Sequence, residues 1–235
     1  MMRFLLIHGA WHGGWCWDGI AERLRAEGHE VLAPDLPGLG EDSAALSPGI
    51  GLENHIAAAM PDNPCILCAH SYGGMIARAI ADRRPDRVTG IVLIEALWPD
   101  DGQSAFDLVS PERQAEFEAG IETQGEGWRM PVPDPAGFRI DDPVLRAGVA
   151  ARMTDHPART FRDPLRLTGP EPPTGTYVIA TDRDPQPYAA TANLLRAQDW
   201  RVEAMPGGHE LMLTQPARIA DLLCERTDHL ERKPA

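Results

Sequence analysis

The chain reads CILCAHSYGG from Cys65 to Gly74, an apolar run that stops at a histidine, a serine and two glycines, with a helical pattern directly behind it. A serine on such a strand-to-helix corner is held out of the backbone at the edge of a sheet, and glycines are needed where side chains would collide. The stretch is typical of a nucleophile elbow, G-x-S-x-G, although Ala69 stands where the first glycine is usual. We therefore predict a nucleophilic role for Ser71; the alternative is an ordinary tight turn.

The rest of the chain alternates short apolar runs with helical patterns. Continuous apolar runs between helices are typical of a parallel sheet covered on both faces. Together they predict the α/β class, with a doubly wound, mostly parallel six-stranded sheet. The predicted strands are residues 4–7, 31–33, 66–69, 88–94, 177–180 and 202–205. The predicted helices are residues 17–27, 50–60, 72–84, 187–198 and 215–229.

The alternation breaks in an insert of about residues 97–174, where prolines concentrate. Ser110 and Asp142 each precede a proline, and this pairing of an N-cap residue with proline at the first helical position predicts two short helices. Aromatic residues spread along the insert give it apolar anchors that a disordered linker lacks. We expect a small helical cap over the carboxyl edge of the sheet, within a single domain spanning 1–235.

Charge and hydropathy exclude several classes of partner. The chain has 22 basic and 35 acidic residues, a formal net charge of −13, and the acidic residues are spread along it. Nucleic acid is therefore not an expected partner, since phosphate binding needs a basic face. No apolar stretch approaches the roughly 18 residues of a membrane helix, and the N-terminal apolar run is too short for a signal peptide. We expect a cytoplasmic protein with no membrane partner.

Four cysteines occur, and two of them, Cys65 and Cys68, have the C-x-x-C spacing of redox and zinc sites. Residues three apart in a strand face opposite sides of the sheet, and the chain has no second C-x-x-C to complete a metal site. We therefore predict buried thiols that serve as small core residues.

A serine hydroxyl is a poor nucleophile at neutral pH and needs a base within hydrogen-bonding reach. His209 lies in a glycine loop between the last predicted strand and the last helix, at the carboxyl edge where open α/β sheets place their sites. It is the predicted base. His55 and His156 have no partner that the sequence identifies, and we expect them to be structural or solvated.

The base needs a carboxylate to orient it, and three candidates lie at strand ends. Asp184 follows the penultimate strand and gives the order Ser, Asp, His that is usual in hydrolases of this architecture, so it is our first choice. Asp182 is the second, and Glu95, at the end of the strand over 88–94, is the third. A carboxylate at a strand end can also simply cap a turn.

Acyl transfer also requires donors for a developing oxyanion. The N–H of Tyr72, the residue after the nucleophile, is one predicted donor, at the positive end of its helix. We expect the other from the loop over 8–14, as the N–H of Ala10. A phosphate cradle is the alternative for this loop, but its glycines do not fit G-x-G-x-x-G and histidines are its only basic residues.

Four segments together resemble the α/β-hydrolase superfamily: HGAWHGGWCW over 8–17, DLPGLG over 35–40, the elbow at Ser71 and GGH over 207–209. Within it, the chain is most similar to the branch of plant methylesterases, hydroxynitrile lyases and small bacterial esterases. The resemblance implies a triad and an oxyanion hole that work without a cofactor or metal. It assigns Ser71, Asp184 and His209 to the triad, and Ala10 and Tyr72 to the oxyanion hole.

The lyases of this branch carry threonine at the position of Ala10 and lysine at that of Glu210, where the lysine holds departing cyanide. A glutamate would repel cyanide, so a lyase is disfavoured. We predict a serine carboxylesterase for small to medium apolar esters, with Trp11, Leu97 and Trp128 as substrate-binding candidates. Carbon–carbon or lactone hydrolysis by the same triad is the runner-up, and a hydrolase-fold protein that binds a ligand without turnover is the alternative from another class. The insert's apolar face would suit a homodimer interface as well as a pocket.

Overall fold

The computed structural model describes residues 1–182 and 188–231, with residues 226–231 described by their backbone alone. Its strands are β1 Arg3–Ile7, β2 Glu30–Leu32, β3 Cys65–His70, β4 Val88–Ile94, β5 Arg129–Met130, β6 His156–Pro157, β7 Thr176–Ala180 and β8 Arg201–Met205. Its α-helices are α1 Asp18–Ala26, α2 Leu52–Ala58, α3 Gly73–Arg83, α4 Pro111–Thr123, α5 Pro143–Arg152, α6 Arg159–Arg162, α7 Tyr188–Ala197, α8 Leu211–Thr214 and α9 Pro216–Glu231.

Six of the strands form one sheet in the order β2-β1-β3-β4-β7-β8, and all of its pairings are parallel. Successive side chains point to opposite faces. Leu5 and Leu67 pack on one side with α2, α3 and α7, whereas Leu6 and Cys68 pack on the other with α1 and α9. The doubly wound α/β class is therefore confirmed.

The ends of the predicted strands and helices differ from the observed ones by two residues at most. The inner strands β1, β3, β4 and β7 were predictable because strands buried on both faces are continuous apolar runs. The predicted burial of the two cysteines of β3 is also confirmed: Cys65 and Cys68 are free thiols in the cores on opposite faces of the sheet. Burial raises the pKa of Cys65 to about 11, so its thiol is protonated at neutral pH.

The segment between β4 and β7 contains α4, α5, α6 and the two-stranded antiparallel ribbon β5–β6, and we call it the cap. Its two main helices begin where the sequence predicts: Ser110 Oγ accepts a hydrogen bond from the N–H of Arg113, and Asp142 Oδ1 accepts from Val144 and Leu145. The ribbon and α6 were not predicted. Within the described residues, no helix is long and apolar enough to cross a bilayer.

Candidate active site

Ser71 occupies the corner between β3 and α3 with a φ of 53°, in the left-handed region that non-glycine residues rarely adopt. The backbone around it is fixed on both sides. Its N–H donates to the carbonyl of Ile94 at 3.3 Å, and its own carbonyl accepts from the N–H groups of Leu97 and Gly74 at 2.9 and 3.1 Å. These bonds, one to the end of β4, one from the segment just after it and one from α3, stabilise a strained conformation that presents the hydroxyl at the carboxyl edge of the sheet.

Two glycines allow the backbone to approach the elbow closely. A Cβ at Gly74 would lie 1.9 Å from the carbonyl oxygen of Leu97, so α3 could not pack there with any side chain at that position. A Cβ at Gly9 would lie 2.9 Å from the Cβ of Ser71. The loop after β1 therefore lies directly against the serine, as an oxyanion loop must. Ala69 is accommodated in the core, where it pairs with Ile7 and Leu93 of the adjoining strands.

His209 is nearly buried, and its backbone is held from two directions. Its N–H donates to the carbonyl of Phe138 in the cap at 2.9 Å, and its carbonyl accepts from Nε2 of His70 at 3.0 Å. The ring centroids of His70 and His209 are 4.4 Å apart. The glycine loop after β8 is thus anchored both to the sheet and to the cap, which fixes the position of the imidazole.

The carboxylate that contacts this imidazole is Glu95. It is fully buried at the end of β4, where its φ of 46° repeats the left-handed turn of Ser71 at the end of β3. Glu95 Oε2 lies 3.3 Å from His209 Nδ1, and Oε1 accepts the N–H of Ala180 at 2.8 Å. The third-choice acid of the sequence analysis is therefore the one that the described structure brings to the histidine.

Of the two aspartates that ranked above Glu95, the structure describes Asp182 alone. Asp182 is exposed, accepts a hydrogen bond from the hydroxyl of Thr181 and lines a different surface depression together with Arg139 and Gly207. Asp184 lies outside the described residues, so its assignment to the triad stays a prediction.

Tyr188, the first residue of α7, is a site residue that the sequence analysis missed. Its hydroxyl lies 3.3 Å from Ser71 Oγ, and its ring stacks on the His209 imidazole with centroids 5.1 Å apart and planes inclined by 26°. Among the described residues, this hydroxyl, and not the imidazole, is the hydrogen-bond partner of Ser71 Oγ. The available signal was an aromatic side chain with a polar tip close after β7 at the carboxyl edge.

Three buried histidines hold consecutive peptide groups of the loop after β1. His8 Nδ1 donates to the carbonyl of Gly9 at 2.8 Å, and His12 Nδ1 donates to that of Ala10 at 2.7 Å. His156 Nδ1, from the cap, lies 3.4 Å from the N–H of Trp11. In the part of the chain that the structure describes, the N–H groups of Ala10 and Tyr72 make no hydrogen bond, which leaves both donors available to an oxyanion.

A cavity of about 320 Å³ opens onto Ser71 and His209. Tyr72 and two of the three predicted substrate contacts, Trp11 and Leu97, line it, but Trp128 does not; Trp128 is half-buried beside the guanidinium of Arg129. The cap supplies much of the remaining apolar wall through Val109, Phe117, Phe138 and Phe161.

Glu210 is buried and does not line the cavity; its Oε2 lies 3.5 Å from Nε2 of His12. Potential metal ligands converge at two places among the described residues. They are His70, His209 and Glu210 in the interior, and Glu27, His29 and Cys224 at the surface. The interior group overlaps the contacts that hold the His209 loop.

His55 and His156 are structural, one of the two roles expected of them, and neither is solvated. His55 Nε2 donates to the carbonyl of Pro37 while its Nδ1 accepts from the Tyr72 hydroxyl, both at 3.0 Å. Burial lowers the pKa of His55 to about 4 and that of His8 to about 3, so both rings are neutral at pH 7.

Residues 4–222 match the alpha/beta hydrolase family, and the chain belongs to that family. A carbendazim hydrolyzing esterase from Nocardioides sp. (strain SG-4G) is 32% identical over an alignment 240 residues long. The alignment covers 95% of this chain and 98% of that protein. Methylesterase 7 of Arabidopsis thaliana is 36% identical over 106 residues, 42% of this chain and 41% of that one. The resemblance to plant methylesterases and bacterial esterases is thereby confirmed.

Solved structures agree on the fold. An extracellular alpha/beta-hydrolase from a Paenibacillus species, described as sharing structural and functional homology with tobacco salicylic acid binding protein 2, superposes with a TM-score of 0.82 at 25% identity over 96% of this chain and 98% of that chain. A methylesterase from Arabidopsis superposes with a TM-score of 0.72 at 17% identity over 97% of this chain and 100% of its own, and it supports the fold alone.

Proposed function

We propose that this protein is a serine carboxylesterase that cleaves small to medium apolar carboxylic esters through an acyl-enzyme on Ser71. The observation that carries the proposal is that a strained serine corner and the His209 imidazole line one cavity, with the buried Glu95 carboxylate in contact with that imidazole. The esterase-named relatives support ester hydrolysis as the reaction.

In the first step, Ser71 Oγ attacks the ester carbonyl and His209 Nε2 takes its proton. For this transfer the serine hydroxyl must exchange its contact with Tyr188 for the imidazole; catalytic hydrogen bonds are often long or misaligned until substrate binds. The N–H groups of Ala10 and Tyr72 stabilise the oxyanion, and one such donor contributes about 2.7–4 kcal/mol in measured cases. The imidazolium then protonates the leaving alcohol, and in the second step the imidazole activates water against the acyl-enzyme.

Glu95 is the acid that we assign to the triad. An imidazole whose Nδ1 faces a carboxylate keeps its proton on that nitrogen, which leaves Nε2 free to accept the serine proton. Because Glu95 Oε1 is bound by the N–H of Ala180, the carboxylate cannot turn away from the ring without losing a buried hydrogen bond.

The wall of the cavity supports the substrate class. Aromatic and aliphatic side chains from the cap line the cavity, beside the polar residues Ser110, Arg113 and Asp134. Cavities that are mostly apolar with a few polar groups bury the apolar parts of small ligands. At about 320 Å³, the cavity is at the small end of the range for ligand pockets, which favours short acyl chains.

An assay with p-nitrophenyl acetate and butyrate tests the proposal. The wild-type protein is expected to hydrolyse both esters, and Ser71→Ala is expected to reduce kcat by about 10³-fold or more while the protein still folds. If the wild type turns over neither these esters nor a wider panel of esters, lactones and diketones, a non-catalytic binding role replaces the proposal. Turnover of lactones or diketones alone would favour the other chemistry of the triad.

Three substitutions decide the acid. Glu95→Gln removes the charge that faces His209 and is expected to lower kcat by about 10³- to 10⁴-fold with little change in KM. Asp182→Asn serves as the control and should keep wild-type activity, because its carboxylate is exposed on another surface. If Asp184→Asn abolishes turnover and Glu95→Gln does not, our assignment of Glu95 is wrong and Asp184 is the acid.

A further inference from the structure

The cap contacts Trp11, in the loop that follows β1, at three points. The N–H of Trp11 donates to Nδ1 of His156 at 3.4 Å, and its carbonyl accepts from the N–H of Thr154 at 3.0 Å. Its indole Nε1–H donates to the carbonyl of Met130 at 3.2 Å. Met130 and His156 are paired residues of the ribbon β5–β6. Trp11 itself has a φ of 62°, a conformation that bulky residues rarely keep unless their surroundings hold it.

The hydrogen bonds of His156 define which of its nitrogens carries the proton. Nε2 lies 2.7 Å from the hydroxyl oxygen of Thr160, and that hydroxyl donates to the carbonyl of Pro157 at 2.8 Å. Nε2 must therefore be the donor, and Nδ1 is left as an acceptor for the N–H of Trp11. Complete burial lowers the pKa of His156 well below its usual range, so the ring stays neutral and keeps this arrangement.

The peptide group between Ala10 and Trp11 is consequently held at both ends. Its carbonyl accepts from His12 Nδ1, and its N–H donates to His156 Nδ1. Rotation of this peptide would change ψ of Ala10. A compensating rotation about φ of Ala10 would turn the Gly9–Ala10 peptide, which carries the N–H of Ala10. That N–H is the second oxyanion donor of the proposed function, and a displacement of well under 1 Å matters for such a donor because its contribution depends on alignment.

We propose that His156 is a positioning residue that couples the cap to the oxyanion hole, by holding the Ala10–Trp11 peptide so that the N–H of Ala10 faces the developing oxyanion. This inference rests on the proposed esterase function. It assigns the cap a second role besides lining the substrate cavity, since a change in the cap would alter the rate of the chemical step as well as specificity.

Two isosteric substitutions separate this role from simple packing. Asn places an oxygen acceptor close to where Nδ1 lies, whereas Leu has the same shape and no acceptor, and both lose the contact with Thr160. In a p-nitrophenyl acetate assay, His156→Leu is expected to lower kcat about tenfold relative to His156→Asn, with KM changed less than about twofold. Inhibition by a trifluoromethyl ketone, whose adduct with Ser71 carries an oxyanion, should weaken by the same factor.

Equal kcat values in the two folded variants would overturn the inference and leave the esterase proposal intact, whereas absence of ester turnover by the wild type would remove both. If His156→Leu does not fold, the wild type and His156→Asn decide. The ¹⁵N spectrum of the wild type should show the proton of His156 on Nε2, and His156→Asn should keep a kcat within about threefold of the wild type. A proton on Nδ1, or a larger loss in His156→Asn, would contradict the role.

Discussion

Two glycines in helices, Gly74 and Gly148, are expected to change the stability of the protein in opposite directions when each is replaced by alanine. A Cβ at Gly74 would meet the carbonyl oxygen of Leu97 at 1.9 Å, whereas a Cβ at Gly148 in α5 has no neighbour within 4 Å. We expect Gly74→Ala to lower the free energy of unfolding by about 1–3 kcal/mol and to reduce ester hydrolysis, since the elbow must shift. Gly148→Ala should raise the free energy of unfolding by about 0.5–1 kcal/mol, because alanine has a higher helix propensity than glycine. Urea denaturation measures both, and a stabilised Gly74→Ala variant would contradict the packing of the elbow.

A site residue could be predicted where a short sequence motif surrounds it, and not where only the folded chain brings it to the site. Ser71 and His209 each lie in a short motif with glycines at fixed positions, so the sequence singles out both, and in the structure both line one cavity. Tyr188 and Ser71 are 117 residues apart in the sequence, and no local pattern encodes that the start of α7 lies beside the serine. Glu95 ranked below Asp184 because Asp184 gives the usual chain order Ser, Asp, His. In the structure Glu95 follows β4 with a left-handed φ of 46° and contacts the imidazole.

The N-cap of α5 allows a test of what stabilises this helix. The carboxylate of Asp142 accepts hydrogen bonds from the first free N–H groups of the helix, those of Val144 and Leu145. Asp142→Ala should therefore lower the free energy of unfolding by about 0.5–2 kcal/mol. Asp141→Ala, at the exposed residue before it, is the matched control and should change stability by less than about 0.5 kcal/mol. Equal effects in thermal denaturation would mean that charge near the helix, and not the cap, stabilises α5.

The main elements were predictable because each carries a long or strong pattern. The four inner strands of the sheet, β1, β3, β4 and β7, are largely apolar and buried. The helices α4 and α5 start at a capping residue followed by proline. The ribbon β5–β6 was not predicted, since strands of two residues have no periodicity and one of them contains Pro157. Its pairing also joins segments on either side of α5, so that only the packed cap brings them together.

At the scale of the whole molecule, the buried neutral histidines make stability depend on pH. In the unfolded chain a histidine has a pKa of about 6.5, while in the fold burial lowers the pKa of His8 to about 3 and of His55 to about 4. Above pH 6.5 the rings are neutral in both states and their stabilising contribution is complete. As the pH falls from 6.5 through 4, the unfolded chain binds protons that the fold does not, and stability is lost.

The expected slope is at most about 1.4 kcal/mol per pH unit for each such ring between pH 6 and 4.5. Urea denaturation across that range measures it. His55→Gln replaces one ring with a side chain that does not titrate. The slope should therefore decrease by up to about 1.4 kcal/mol per pH unit, which corresponds to one proton. An unchanged slope in His55→Gln would show that His55 titrates alike in both states.

Labelling with a fluorophosphonate tests most directly the claim on which the proposed mechanism depends, that Ser71 is an activated nucleophile. Intact mass and peptide mapping of the wild type should show one adduct, on the peptide that contains Ser71, with loss of ester hydrolysis in step with labelling. Ser71→Ala should neither label nor hydrolyse. An adduct on another residue, or ester hydrolysis that survives in Ser71→Ala, would contradict the account.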